Sequence, residues 1–202
     1  MVAQILDAIL VDQLIADRQA RGIDQHDEVW NGVYVTSPIA NDEHQELVSF
    51  INSVLFQVIQ VPGLGLVRPG VNLTDTPEDW MHNYRVPDVV VFLHGGAGVC
   101  HGAFWSGGPD LAVEITSTGE RAGQKLKFYN RIGTKELLII EREPWRLALY
   151  RRIRGKLATA GKSSPNGKAF LSKSTQIRFS LLGDSAAPDL VLQHTDGRLW
   201  KL

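Results

Sequence analysis

Cysteine is almost missing from this 202-residue chain. Cys100 stands alone, so no internal disulfide framework can form, and a reducing compartment is the natural setting. Long apolar runs are missing as well. No stretch approaches the roughly 18 residues that cross a bilayer, and the opening MVAQILDAILVDQLIADRQARG carries acids where a secretory leader would carry bases. A cytoplasmic protein with no membrane partner is expected. Three signatures of common chemistries are equally absent: the P-loop, a G-x-G-x-x-G following a strand, and the G-x-S-x-G nucleophile elbow. Nucleotide-cofactor and serine-hydrolase readings therefore have no support. His94, Cys100 and His101 match no usual zinc spacing.

What is present is an ordinary globular composition, 44% hydrophobic and 21% charged, which predicts one domain spanning residues 1–202. The net charge of -1 hides an uneven distribution: residues 1–60 hold nine Asp/Glu against two Lys/Arg, whereas residues 142–178 hold ten Lys/Arg against Glu143 alone. That basic stretch can face a polyanion or form the solvated face of a strand meander, and no cluster within it is dense enough to demand nucleic acid.

Residues 3–20 have the pattern of a short amphipathic helix stopped near Gly22. Asn31-Gly32 within EVWNGVYV predicts a tight hairpin, because both central positions of such a turn need φ > 0. Asn41 is placed to cap a helix whose first turn holds Asp42 and Glu43 and whose apolar stripe runs Leu47, Val48, Ile51, Val54, Leu55, Val58, Ile59, with His44 on the same stripe. Strands follow around GLVRPGVNL and VPDVVVF. After a Gly-rich loop at 94–108 comes the strand PDLAVEI. Residues 117–132 predict a helix with Ser117 and Glu120 as a capping box and Gly133 as its stop. KELLIIERE and WRLALYRR read as adjacent strands turned at Glu143-Pro144, and short strands fill the remainder. That order argues for a mixed α/β domain.

Two strand carboxylates carry the chemistry. Alternation puts Asp110, Ala112 and Glu114 on one face of PDLAVEI, and Asp88, Val90 and Phe92 on one face of VPDVVVF. A buried Glu114 needs a cation, a metal or a donor beside it, since an unpaired buried carboxylate costs several kcal/mol. Lys125 on the next helix, with Tyr129 one turn later, is placed to point back at the sheet. Two carboxylates and a lysine at one point suit a divalent cation beside a phosphodiester. Each residue also has a plainer explanation: Asp88 as a strand-start residue, Glu114 on a solvated sheet face, Lys125 on the surface, His44 at a helix start.

Val86-Pro87-Asp88-Val89-Val90-Val91, Pro109-Asp110-Leu111-Ala112-Val113-Glu114-Ile115-Thr116-Ser117, Lys125-Leu126-Lys127-Phe128-Tyr129 with Gly133, and Glu136-Leu137-Leu138-Ile139-Ile140 resemble, in order and spacing, the Uma2 (DUF820) family of the PD-(D/E)XK nuclease superfamily. The hairpin Asn31-Gly32 and the helix start Glu43-His44-Gln45 fit the same pattern. The resemblance implies an α/β, restriction-endonuclease-like mixed β-sheet core flanked by helices, to which the later residues add a C-terminal strand meander. It implies a Mg²⁺- or Mn²⁺-dependent endonuclease acting on nucleic acid, most naturally DNA. Asp88 and Glu114 would be metal ligands, Lys125 the catalytic lysine and His44 a lesser site member, with Tyr129 packed behind Lys125. Thr116 stands where the superfamily's E-x-K has its lysine, and Arg121 where the family often has an acid, which leaves Glu120 as a helix cap. Glu43 and Glu46 are weaker alternatives to His44, and Asp110 matches no required position. A homodimer is expected by analogy, because a double-strand cut needs two sites. A non-catalytic nucleic-acid- or protein-binding module on the same fold is the competing expectation.

Overall fold

A computed structural model describes residues 8–37, 40–116 and 122–202. Helix α1 (Ala8–Ala20) ends at its glycine: Gly22 takes φ +66°, and the Gly22 and Ile23 N–H groups bond to the Gln19 and Arg18 carbonyls. The expected start of this helix, residues 3–7, lies outside the described residues. Among the described side chains, Val11, Leu14, Ile15 and Arg18 form a half-buried stripe at helical spacing, and no residue from 10 to 20 is fully buried. Polar contacts also attach the helix, with Arg18 donating to Asp27 at 2.7 Å and to the Ile23 and Ser37 carbonyls.

Strands β1 (Glu28–Trp30) and β2 (Val33–Val35) form the expected hairpin, with Asn31 at φ +51° and Gly32 at +82°. Helix α2 (Asp42–Leu55) starts where the Asn41 side chain accepts the His44 N–H at 3.1 Å, and a π turn over Phe56–Gln60 prolongs it. Its stripe is buried as expected at Leu47, Ile51, Val54, Leu55, Val58 and Ile59.

Next come β3 (Gly65–Pro69), β4 (Leu73–Thr74), a 3-10 turn at Pro77–His82, β5 (Tyr84–Arg85) and β6 (Val89–Leu93). The Gly-rich segment 94–108 is not a plain loop. It contains the small hairpin β7 (Val99–Cys100) and β8 (Trp105–Ser106), anchored by Trp105 stacking on Phe92 at 3.9 Å. The chain continues through β9 (Leu111–Thr116), α3 (Ala122–Ile132), β10 (Glu136–Arg142), β11 (Trp145–Ile153) and β12 (Lys156–Ser163). The expected cap residues Ser117 and Glu120, with Arg121, lie outside the described residues. Gly133 closes α3 at φ +91°. Finally β13 (Phe170–Leu171), β14 (Ile177–Gly183), β15 (Pro188–His194) and β16 (Leu199–Lys201) make the expected C-terminal antiparallel meander.

The central sheet has the order β12-β11-β10-β9-β6-β3. Only β9 and β10 run parallel in it, and α3 is their crossover. Both faces are covered. Leu111, Val113 and Ile115 of β9, with Val89 and Val91 of β6, share one apolar cluster with α2 and with Phe179, Leu181, Leu190 and Leu192 of the C-terminal sheet. Ala112 of β9 and Val90 and Phe92 of β6 point the other way, toward Phe128, Tyr129 and Ile132 of α3 and toward Leu73 and Trp105 of the sheet β2-β1-β5-β4-β8-β7. Each fully buried Leu or Ile contributes roughly 1.5–3 kcal/mol. Strands this apolar need cover on both faces, and helices and smaller sheets share it here.

Candidate active site

The register of β6 against β9 brings the two acids together. Val89 pairs with Val113 and Val90 with Ala112, so one step further along the same antiparallel ladder Asp88 comes opposite Glu114. Asp88 is bonded to both neighbours of Glu114 in the chain: its N–H donates to the Val113 carbonyl, and its Oδ2 accepts the Ile115 N–H at 2.6 Å. The other Asp88 oxygen lies 2.9 Å from His44 Nε2, at the start of α2. Glu114 is buried, with Ile139 of β10 beside it. Helix α3 supplies its partners: Lys125 Nζ donates to Oε2 at 2.6 Å, and one turn later the Tyr129 hydroxyl donates to Oε1. Tyr129 therefore sits on Glu114 itself rather than only behind Lys125.

The sequence reading missed a third carboxylate. Glu28, on the hairpin strand β1, is as buried as Glu114 and lies 3.4 Å from Lys125 Nζ. It accepts the Trp30 Nε1–H at 2.6 Å and the Val86 N–H at 3.0 Å. Its local signal was a carboxylate sharing a strand face with Trp30 beside an Asn-Gly turn. Arg85 was also missed. This buried guanidinium lies between the rings of Trp30 and Phe128, 4.5 and 4.7 Å from their centroids, and donates to the Val29 carbonyl. Burial lowers its pKa to about 10.

Three carboxylates around one ammonium set the electrostatics. Burial pushes the Glu114 carboxyl up to about 7 against the pull of Lys125, and the nearby charges of Glu28 and Asp88 push the same way. Burial works against a charged Lys125, but Glu114, Glu28 and Asp88 together outweigh it and raise its pKa. Burial and Glu114 likewise keep the Tyr129 phenol protonated, so it is a donor. Asp88 and His44 open onto a cleft of about 250 Å³ that Gln25, His26 and Gln45 also line.

Other candidates fall away from this point. Glu43 ion-pairs with Arg142 at 2.7 Å, and Glu46 is exposed. Asp110 binds the Leu93 N–H and Lys135, a support for the strand ends. Part of the basic stretch is engaged internally: Arg142 with Glu43 and Asn41, Arg151 with Glu136, and Arg152 with the Asn130 carbonyl.

Among the described residues, no three His, Cys, Asp or Glu side chains converge to hold an ion by themselves. The donor set still fits one kind of ion. Mg²⁺ and Mn²⁺ are hard cations that take oxygen ligands, and Mg²⁺ is commonly held by one or two carboxylates, with water and substrate phosphate completing the shell. Asp88 and Glu114 would be such a pair, with Lys125 on Glu114 and His44 on Asp88 as their neighbours.

The Uma2 family model, described as "Putative restriction endonuclease", matches residues 16–167. The chain belongs to the Uma2 family. A solved structure from Anabaena variabilis, described as "a putative nuclease belonging to DUF820", is 17% identical over 66% of this Uma2 chain and 75% of its own, with a TM-score of 0.53. At that identity the likeness establishes the fold alone. Comparison with curated proteins finds no match. The family supports a nuclease. In this Uma2 protein Thr116 stands two residues past Glu114, and the ammonium beside Glu114 comes from α3.

Proposed function

We propose that this Uma2 protein is an endonuclease dependent on Mg²⁺ or Mn²⁺ that hydrolyses phosphodiester bonds of nucleic acid, with DNA as the substrate. The observation that carries the reading is the meeting of Asp88 and Glu114 across β6 and β9 with the Lys125 ammonium on Glu114. Asp88 and Glu114 would hold the cation. When bound, it supplies Lewis-acid polarisation of a phosphoryl oxygen and lowers the pKa of a nearby water. The chain's own residues do the positioning. Ile115 N–H and His44 fix the two Asp88 oxygens, and Tyr129 fixes Glu114. Lys125 presents an ammonium that orients the attacking water or steadies charge developing on the phosphate. His44 orients Asp88 at the mouth of the cleft. A cytoplasmic location, in keeping with the free Cys100, and a homodimer that pairs two sites for a double-strand cut belong to the same proposal.

The test is cleavage of plasmid and single-stranded DNA with Mg²⁺ or Mn²⁺ by the wild type and by Asp88→Ala, Glu114→Ala and Lys125→Ala. Each variant is expected to lose at least about a hundredfold in rate, within the range of losses seen when one group stabilising transition-state charge is removed. Activity that persists in all three sinks the reading. Wild-type protein that binds DNA and cation but never cleaves would instead identify a binding module on the nuclease fold.

A further inference from the structure

Lys125 makes two contacts that pull against each other. Its ammonium sits 2.6 Å from Glu114, a carboxylate assigned above to a cation, and 3.4 Å from Glu28, which that assignment leaves without a role. A lysine that remains on Glu114 competes with any cation for the same oxygens. The proposed chemistry, on which this inference rests, needs the ammonium close by but off the ligand. We propose that Glu28 is the residue that positions Lys125: it takes over the ammonium when Glu114 turns to a divalent cation.

Glu28 is built as a fixed acceptor. One oxygen is held by the Trp30 indole N–H at 2.6 Å and the other by the Val86 N–H at 3.0 Å, and the side chain is buried. Its backbone is locked by the ladder to β2, where Glu28 pairs with Val35, and by the Val29–Tyr84 pairing to β5 next door. A carboxylate offers about four acceptor directions, so two donors leave room for the ammonium. Lys125 has the opposite character. Its four-carbon stem and three rotatable donors let it change partners without backbone movement, and both acceptors already lie within 3.4 Å of it. Val86 ties the arrangement to the ligand strand, because the residue that holds Glu28 stands two positions before Asp88.

The experiment is calorimetric titration of the full chain with Mn²⁺ alone, without nucleic acid, for the wild type, Glu28→Gln, Lys125→Met and the double variant. If Glu28 acts through Lys125, Glu28→Gln weakens Mn²⁺ about tenfold in the wild-type background. It changes affinity less than twofold in the Lys125→Met background, where no ammonium competes. Trp30→Phe, which keeps an aromatic face for Arg85 but frees Glu28, should weaken Mn²⁺ about threefold with the same dependence on Lys125. It serves as the second probe if Glu28→Gln does not fold. An equal loss in both backgrounds overturns the proposal, since it would make Glu28 a ligand or a remote charge. No loss in either background overturns it too. Wild-type protein that binds no Mn²⁺ would bring down the metal-site reading beneath it, an outcome distinct from both.

Discussion

Glu114 shows at the residue scale how a strand keeps a charge in its middle. Its flanking positions Val113 and Ile115 face the opposite apolar layer, and Ile139 beside it removes water, so its two oxygens depend wholly on α3. Lys125 satisfies one and Tyr129 the other. Tyr129→Phe keeps the ring and removes only the donor. It is expected to destabilise the protein by about 1.5–3 kcal/mol, the usual worth of a hydrogen bond to a charged group, as read from urea denaturation. A loss below about 0.5 kcal/mol would mean that Tyr129 matters for packing alone. Glu114 was legible because alternation isolates a carboxylate in an apolar run. Glu28 follows the same alternation on a three-residue strand, but its donor Val86 lies 58 residues away and Lys125 further still.

At the scale of elements, helix starts and turns follow local chemistry. The Asn41 side chain caps α2 and also accepts from Arg142 at 3.0 Å, so the start of the helix that carries His44 is fixed from two directions. Asn41→Ala should cost about 1 kcal/mol, the usual worth of a helix cap, whereas Asn41→Asp should retain most of it. Thermal denaturation of both variants checks this, and equal melting points would show that the cap carries no load. Helix α1 shows what local pattern omits. Its apolar spacing gives the half-buried stripe Val11, Leu14 and Ile15, but no local pattern announces that Arg18 on the same stripe pairs with Asp27. The Gly-rich segment 94–108 misled for a related reason. Composition marks it as a loop, but the Trp105 ring against Phe92 turns it into a strand pair.

At the scale of the whole molecule, one carboxylate pins the C-terminal sheet to the central one. Glu136 begins β10 and receives the Ser172 hydroxyl at 2.7 Å, the Ser174 and Lys173 N–H groups, and Arg151 of β11. Burial alone would raise its pKa, but the Ser174 N–H, the Ser172 hydroxyl, Arg151 and the Lys173 N–H together hold it below the ordinary 4.5. A carboxyl depressed in the folded state contributes stability that is fully present above the unfolded value and disappears as pH falls through the folded one. The stability gap between wild type and Glu136→Gln should therefore be constant at neutral pH and shrink only below about pH 4.5. Thermal melts across pH 2.5–7 measure it, and a gap independent of pH would show that the charge is not what joins the sheets. By itself the sequence determined the hairpin, the start of α2 and the stops of α1 and α3, which face of β6 and β9 carries an acid, and the α/β class, because these depend on neighbours a few residues apart. Only the tertiary structure decided that Asp88 faces Glu114, that Lys125 contacts both Glu114 and Glu28, and that Arg18 of α1 pairs with Asp27. Those outcomes depend on strand register and side-chain reach between distant segments, which no local periodicity encodes.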